Sequence, residues 1–330
     1  MGAQQGFNGR PTSIKQDFKD RLWFSTNDTI FVYDPAAETA RKIHIRSTLH
    51  VNGFPPSSQL GSDGMLLQGS ASDGLLIYDT KGMMPEHFTV AQGLESNDVW
   101  GIVEDDQARV YLSTYKGLNI YDPKTKRLHL FTMPPAIATK NYRRIRKIEG
   151  SRFLLSALGG FGIFDLSTQK IDWYDTRNTD VTQVFFTGFR AKDQKFWFGG
   201  GDGVNVFDPA TGVWTSFSQL QGLAGELAFV LEEDRAGRIW VATDTGLSII
   251  DPAKNTVRNL KKSNGLPSDY TSMLYLNTAG EMIVGTNQGI AIFNLDFTEI
   301  THISAQNGLN PPAMYDLVED NGIIQIGSER

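Results

Sequence analysis

The 330-residue chain contains no cysteine. Disulfides, thiolate metal sites and thiol nucleophiles are thereby excluded. It has no run of apolar residues long enough to cross a bilayer as a helix. The N-terminal stretch MGAQQGFNGRPTSIKQDF lacks the apolar centre of a secretory signal. Met1-Gly2 is not followed by Ser or Thr at the sixth position, so the myristoylation pattern fails as well. Either the protein is cytoplasmic, or its signal lies outside this sequence. Positive charge is in short supply: 31 Lys and Arg against 37 Asp and Glu leave a net charge of −6. No concentrated basic face for phosphates is expected, so nucleic acid and direct membrane contact are set aside as partners. No His-Glu-x-x-His, EF-hand loop, P-loop or Gly-x-Ser-x-Gly occurs. No window shows the 3.6-residue periodicity of a helix.

What fills the chain is a repeat. The stretch GLESNDVWGIVEDDQARVYLSTYKGLNIYDP at Gly93–Pro123 returns as GLAGELAFVLEEDRAGRIWVATDTGLSIIDP at Gly222–Pro252, and again at Gly265–Asn294. A short motif of one bulky residue followed by small ones ends at Thr26, Ser70, Thr114, Ala157, Gly200, Thr243, Thr286 and Ser328. Its spacings are 44, 44, 43, 43, 43, 43 and 42 residues. A second anchor, Asp or Asn, keeps phase at Asp34, Asp79, Asp122, Asp165, Asp208, Asp251 and Asn294. Each unit holds four short segments, A to D. Segment A alternates, as in Asp98–Glu104, which reads as a half-buried strand. Segment B carries the small residues, whose positions mark close approach of a neighbouring backbone. Segment C, such as Leu118–Tyr121, stops at Asp-Pro, since proline cannot donate to a ladder. Segment D is the least regular, as in Leu128–Phe131 and Val213–Phe217. Four strands per 43 residues is the arithmetic of a β-propeller blade. The expected fold class is all-β, a β-propeller of four-stranded blades, with seven blades preferred and eight as the alternative. Residues 1–304 hold seven repeats if Ser13–Gln16 is the first A strand. Residues 305–330 form a partial extra repeat, which either closes the ring or starts a second propeller.

The pattern G-L-x-S-N-D … I-W-x-G-T-x-x-G-L-x-x-Y-D-P resembles the two-component regulator propeller repeat, in register over residues 12–328. In that family such propellers are periplasmic sensor domains of Bacteroidetes hybrid two-component systems. The resemblance implies a non-catalytic sensing module, adjacent domains of a larger sensor protein as partners, an oligosaccharide or other small ligand, and a periplasmic location. No kinase, regulator or membrane segment is present, so kinase chemistry cannot reside in this chain. A structural or protein-interaction propeller of an envelope or secretion assembly is the alternative. A propeller lyase is the least favoured reading: WFST at Trp23–Thr26 resembles streptogramin-inactivating lyases, but those need a His–Glu pair with a metal, and no His lies on an A segment here.

The five histidines are His44, His50, His87, His129 and His302. Four of them fall in or beside D segments of different units, too far apart for shared acid–base or metal chemistry. No cofactor, metal site or catalytic residue is therefore expected. The paired carboxylates Glu104-Asp105, Glu233-Asp234 and Glu319-Asp320 recur in phase and read as turn residues bonding nearby backbone. Departures from the repeat are the better candidates, because a rigid scaffold positions its loops for recognition. They cluster where A segments begin: Asn97, Asp98 and Trp100; Tyr142, Arg143 and Arg144; Gln183; Glu226; Asp269 and Tyr270. Aromatic faces with hydrogen-bonding neighbours suit sugar rings, and arginine forks suit carboxylates.

Overall fold

Strand periodicity and turn chemistry produce what the repeat requires. The computed structural model describes residues 13–26, 29–44, 57–70, 72–79, 85–138, 141–176, 185–294, 296, 299–307, 309, 314–320 and 322–328. These residues form two compact units, 13–176 and 185–328. All sheets are antiparallel meanders: seven have four strands in chain order, and one has two. The fold is a β-propeller of seven four-stranded blades.

The first unit carries four blades, with A strands Ser13–Gln16, Ser58–Leu60, Val99–Glu104 and Tyr142–Glu149. In the third blade, strands B, C and D follow as Val110–Thr114, Leu118–Asp122 and Arg127–Phe131. Within each unit successive A strands touch, which makes A the inner edge of each blade and D the outer. The second unit carries three blades, with A strands Phe185–Arg190, Ala228–Glu233 and Thr271–Leu276. A hairpin of Met314–Asp320 and Ile323–Ser328 then forms its own two-stranded sheet beside the A strand of the seventh blade.

The core lies between consecutive blades rather than within them. Trp23, Ile30, Leu66 and Leu76 join the first and second blades. Tyr111, Phe153, Leu155 and Phe164 join the third and fourth. In the second unit, Trp197, Val206, Leu231 and Val241 fill one such layer, and Trp240, Leu274 and Phe293 the next. Leu317 of the C-terminal hairpin packs on Met273, Ile283 and Ile290 in the same way. Each fully buried large side chain contributes roughly 1.5–3 kcal/mol, so the layers dominate cohesion.

Two carboxylates at the end of strand A divide the polar work. The second one organises its own A–B turn. Asp234 accepts from the backbone N–H of Ala236 at 2.9 Å and Arg238 at 3.0 Å. It also accepts from Arg238 Nε at 2.6 Å and the Trp240 indole at 2.9 Å. Asp17 holds Lys19, Arg21 and Trp23 in the same pattern, and Asp105 holds Gln107, Arg109 and Tyr111. The first carboxylate reaches the turn of the preceding blade, a role the sequence reading assigned instead to its own turn. Glu104 accepts from Ser62, Glu233 from the backbone of Lys192, and Glu319 from Thr278. The C-terminal hairpin thus docks on the seventh blade as the third does on the second. The Asp-Pro anchors behave as expected: Asp122 accepts from Lys124 N–H at 2.8 Å and Asp208 from Ala210 N–H at 2.9 Å.

The connections from strand D to the next strand A contain short 3-10 turns that the strand pattern did not suggest. Val90–Gln92 is capped by Thr89 and Gln92, and Gln219–Gln221 by Ser218 and Gln221. Each ends on a glycine in left-handed backbone, Gly93 at φ 106° and Gly222 at φ 99°, which a side chain would strain.

Replacing Asp234 by Ala strands a guanidinium, an indole and two backbone N–H groups, and should cost roughly 3 kcal/mol or more in urea denaturation. Asp122→Ala, at an exposed turn, should leave the midpoint near wild type. Burial works against ionised Asp17, but bonds from Trp23 and Arg21 outweigh it and hold its pKa below the ordinary carboxylate value. Its stabilisation is therefore complete above the unfolded pKa of about 4 and fades as pH falls through the lower folded value. The melting temperature should drop on acidification below about pH 4, and drop less in Asp17→Asn.

Candidate functional site

Antiparallel meandering places the starts of A strands, the B–C turns and the D–A connections on one face of each blade. Hydrogen bonds tie these parts together. The N–H of Tyr115 donates to Asp98 O at 3.2 Å, that of Leu158 to Asn141 O at 3.0 Å, and that of Asn287 to Tyr270 O at 3.4 Å.

At the second residue of strand A the register with strand B slips by one. The extra residue is Trp100, Arg143, Phe186, Phe229, Ser272 and Tyr315 in six successive repeats, always 43 positions apart. A bulge of this kind re-aims a side chain and leaves it outside the ladder's regular packing. The residues just before it are buried: Val99, Tyr142, Phe185, Ala228 and Thr271. Trp100, Arg143, Phe186, Phe229 and Ser272 are only half-buried.

The sequence candidates separate under this geometry. Trp100 and Arg143 stand at equivalent bulges on touching A strands of the first unit. Arg144 follows directly and is half-buried. Tyr142 is corrected: it is fully buried among Tyr111, Phe153 and Phe164, and its hydroxyl donates to Ile137 O. The bulge at Arg143 is the reason, because it puts Tyr142 and Arg144 opposite consecutive residues of strand B, Ala157 and Ser156. Residues two apart then point to opposite sides instead of sharing one. Burial also pushes the Tyr142 phenol well above its ordinary pKa.

Asn97 and Asp269 serve the scaffold. Asn97 Oδ1 accepts from Val90 N–H at 2.8 Å and Asp269 Oδ1 from Lys262 N–H at 2.6 Å, anchoring the 3-10 turns. Asp98 Oδ2 accepts from Ser96 Oγ at 2.8 Å. Glu226 is exposed. Tyr270 is 41% exposed, and its ring lies 5.7 Å from that of Phe229, tilted by 46°. Gln183 lies outside the described residues. The sequence reading missed Phe186, Phe229 and Tyr115. Tyr115 is 51% exposed beside Asp98 at a B–C turn. The signal for the first two was their place in the 43-residue count from Trp100.

The charge balance is uneven. Arg21, Arg109 and Arg238 are each paired with a turn aspartate. Arg143 Nε is buried without a hydrogen-bond partner among the described residues. Desolvation pulls the Arg144 guanidinium below its ordinary pKa, although part of the residue stays open. Of the histidines, His87 bonds Asp73 O and His302 bonds Gly265 O at 2.9 Å, both from D strands. Among the described residues no group of three or more His, Asp or Glu side chains is gathered as a metal ion would need. No described helix is long and apolar enough to cross a membrane.

The molecule is thus a β-propeller in which the inner strands of the third to seventh blades each carry a bulge with a half-buried side chain. Among solved structures it is similar to the extracellular domain of the hybrid two-component system BT3049 from B. thetaiotaomicron, at 18% identity and TM-score 0.66, over 96% of this chain and 50% of that one. The extracellular domain of BT4673 from the same organism matches at 16% identity and TM-score 0.56, over 96% and 51%. The chain spans about half the length of these two domains. Virginiamycin B lyase from Staphylococcus aureus, in a form crystallised with quinupristin, matches at 11% identity and TM-score 0.60, over 86% of this chain and 92% of that one. At these identities the likeness concerns the fold. No protein-family model and no curated protein sequence matches the chain.

Tyr142→Ala should cost about 3–5 kcal/mol as a large core truncation, whereas Tyr115→Ala, at an exposed turn, should move the urea midpoint by less than about 0.5 kcal/mol.

Proposed function

We propose that this chain is a non-catalytic, ligand-sensing β-propeller of a hybrid two-component sensor, working outside the cytoplasmic membrane and recognising an oligosaccharide. The observation that carries the reading is the row of bulges. Residues that repeat are consumed by turns, clamps and interblade layers, while in the third to seventh blades the bulged position holds a half-buried side chain, Trp100, Arg143, Phe186, Phe229 or Ser272, at the start of strand A. Trp100 in the first unit, and separately Phe229 with Tyr270 in the second, supply flat apolar surfaces of the kind that sugar C–H faces cover. The similarity to extracellular domains of two hybrid systems supports the sensor assignment. Signal would pass to adjacent domains of the larger protein by a difference in affinity between two domain arrangements. A lyase reading has less support, since His87 and His302 are bonded to backbone on D strands.

A protein-interaction propeller remains the second reading, favoured by Leu220, which is 94% exposed on a D–A connection. Calorimetry against a panel of neutral and acidic oligosaccharides discriminates the two. At least one should bind, and Trp100→Ala or Tyr270→Ala should weaken it about tenfold, the scale of 1.4 kcal/mol per lost aromatic contact. Binding to no member, or binding indifferent to both substitutions, overturns the sugar-sensing reading.

A further inference from the structure

We infer that the bulge in the fourth blade is an anion-binding subsite, and that the ligand carries a carboxylate or sulfate on its sugar framework, gripped by Arg143 and Arg144. This rests on the oligosaccharide reading for its framework but not for its charge. Buried charge is normally paired and hydrogen-bonded, because an unpaired ion loses its hydration without return. The scaffold obeys that rule at Arg21, Arg109 and Arg238, each with a carboxylate within 2.8 Å. It breaks the rule at Arg143, whose Nε is enclosed and has no partner among the described residues. Arg144, next to it, pairs with no carboxylate there and is desolvated. The acid at the start of the touching third-blade strand is already engaged, Asp98 with Ser96. An enclosed Arg143 nitrogen with no acceptor among the described residues, beside the desolvated Arg144 on a rigid inner strand, forms a waiting site for an oxyanion. The planar fork of arginine fits carboxylate and sulfate with two parallel bonds, which lysine cannot reproduce.

The bulge explains why both arginines are tolerated here. It releases Arg143 from the ladder and turns Arg144 to the other side of the strand, so neither occupies the interblade layer that Tyr142 fills. On the touching strand of the third blade, Trp100 holds the matching position and offers the ring surface for the sugar that bears the acid.

The test uses the whole chain and titration calorimetry with four probes: a uronate-bearing oligosaccharide, its carboxyl-reduced counterpart, a sulfated oligosaccharide, and sodium sulfate. The acidic sugars should bind at least tenfold more tightly than the reduced one, with affinity falling as salt rises. Arg143→Lys, which keeps charge but loses the fork, and Arg144→Gln should each remove that preference. Without ligand, Arg144→Met should raise the melting temperature, since it deletes an uncompensated charge, and this readout does not depend on the sugar chosen. Equal binding of acidic and reduced sugars, unchanged by the arginine variants, overturns the anion subsite and leaves sugar sensing intact. Arginine-dependent binding of sulfate with no sugar binding keeps the subsite and overturns the sugar reading. A lowered melting temperature in Arg144→Met counts against an unpaired charge at this place.

Discussion

A buried carboxylate in the A–B turns of the first, third and sixth blades holds those blades in register. At Asp17, Asp105 and Asp234, a single side chain ties two backbone N–H groups, an arginine and an aromatic N–H or O–H into one cluster. The aromatic it holds is the residue that then fills the interblade layer, as Trp23, Tyr111 and Trp240 do. Polar and apolar cohesion are therefore coupled. A turn that lost its aspartate would misplace the very side chain on which the next blade packs. Glu104 and Glu233 add a second tie, from blade to blade, so the turns at Asp105 and Asp234 are fixed both to their own strand pairs and to the turn before them.

This economy shapes where recognition can happen. Most polar side chains that recur in phase are already spoken for by backbone groups. Asn119, for instance, accepts from Glu95 N–H and donates to Gly93 O, locking a D–A connection onto strand C. A ligand must find groups that the repeat does not use. The bulge supplies them, because it adds a residue without adding a ladder bond, and the added residue is free to differ from blade to blade.

Much of the fold could be read in advance because it depends on local rules repeated many times. Ser13–Gln16 and Val213–Phe217 were placed with the bounds they have in the structure. What escaped was information that crosses blades or shifts phase by one. The link of Glu104 to Ser62 spans 42 residues and leaves no local trace. The bulge at Arg143 shifts the strand by one residue and leaves Tyr142, chosen as a departure from the repeat, inside the interblade layer. The capped turns at Val90–Gln92 and Gln219–Gln221 were written in the sequence as Thr or Ser, then Gln and Gly, but a strand-only reading had no use for them. Candidate recognition residues were approachable only as departures from a pattern, and a pattern says which residues are spare, not what they bind.

The constant 43-residue interval between bulges has a consequence for how such a protein can change. Duplicating or exchanging one whole repeat changes the bulged residue while the ladder and the interblade layers keep their spacing. The set of bulged side chains is therefore modular, and its chemistry can be rewritten one blade at a time by recombination as well as by point mutation. A fold built from interchangeable parts keeps its architecture fixed while its surface vocabulary drifts.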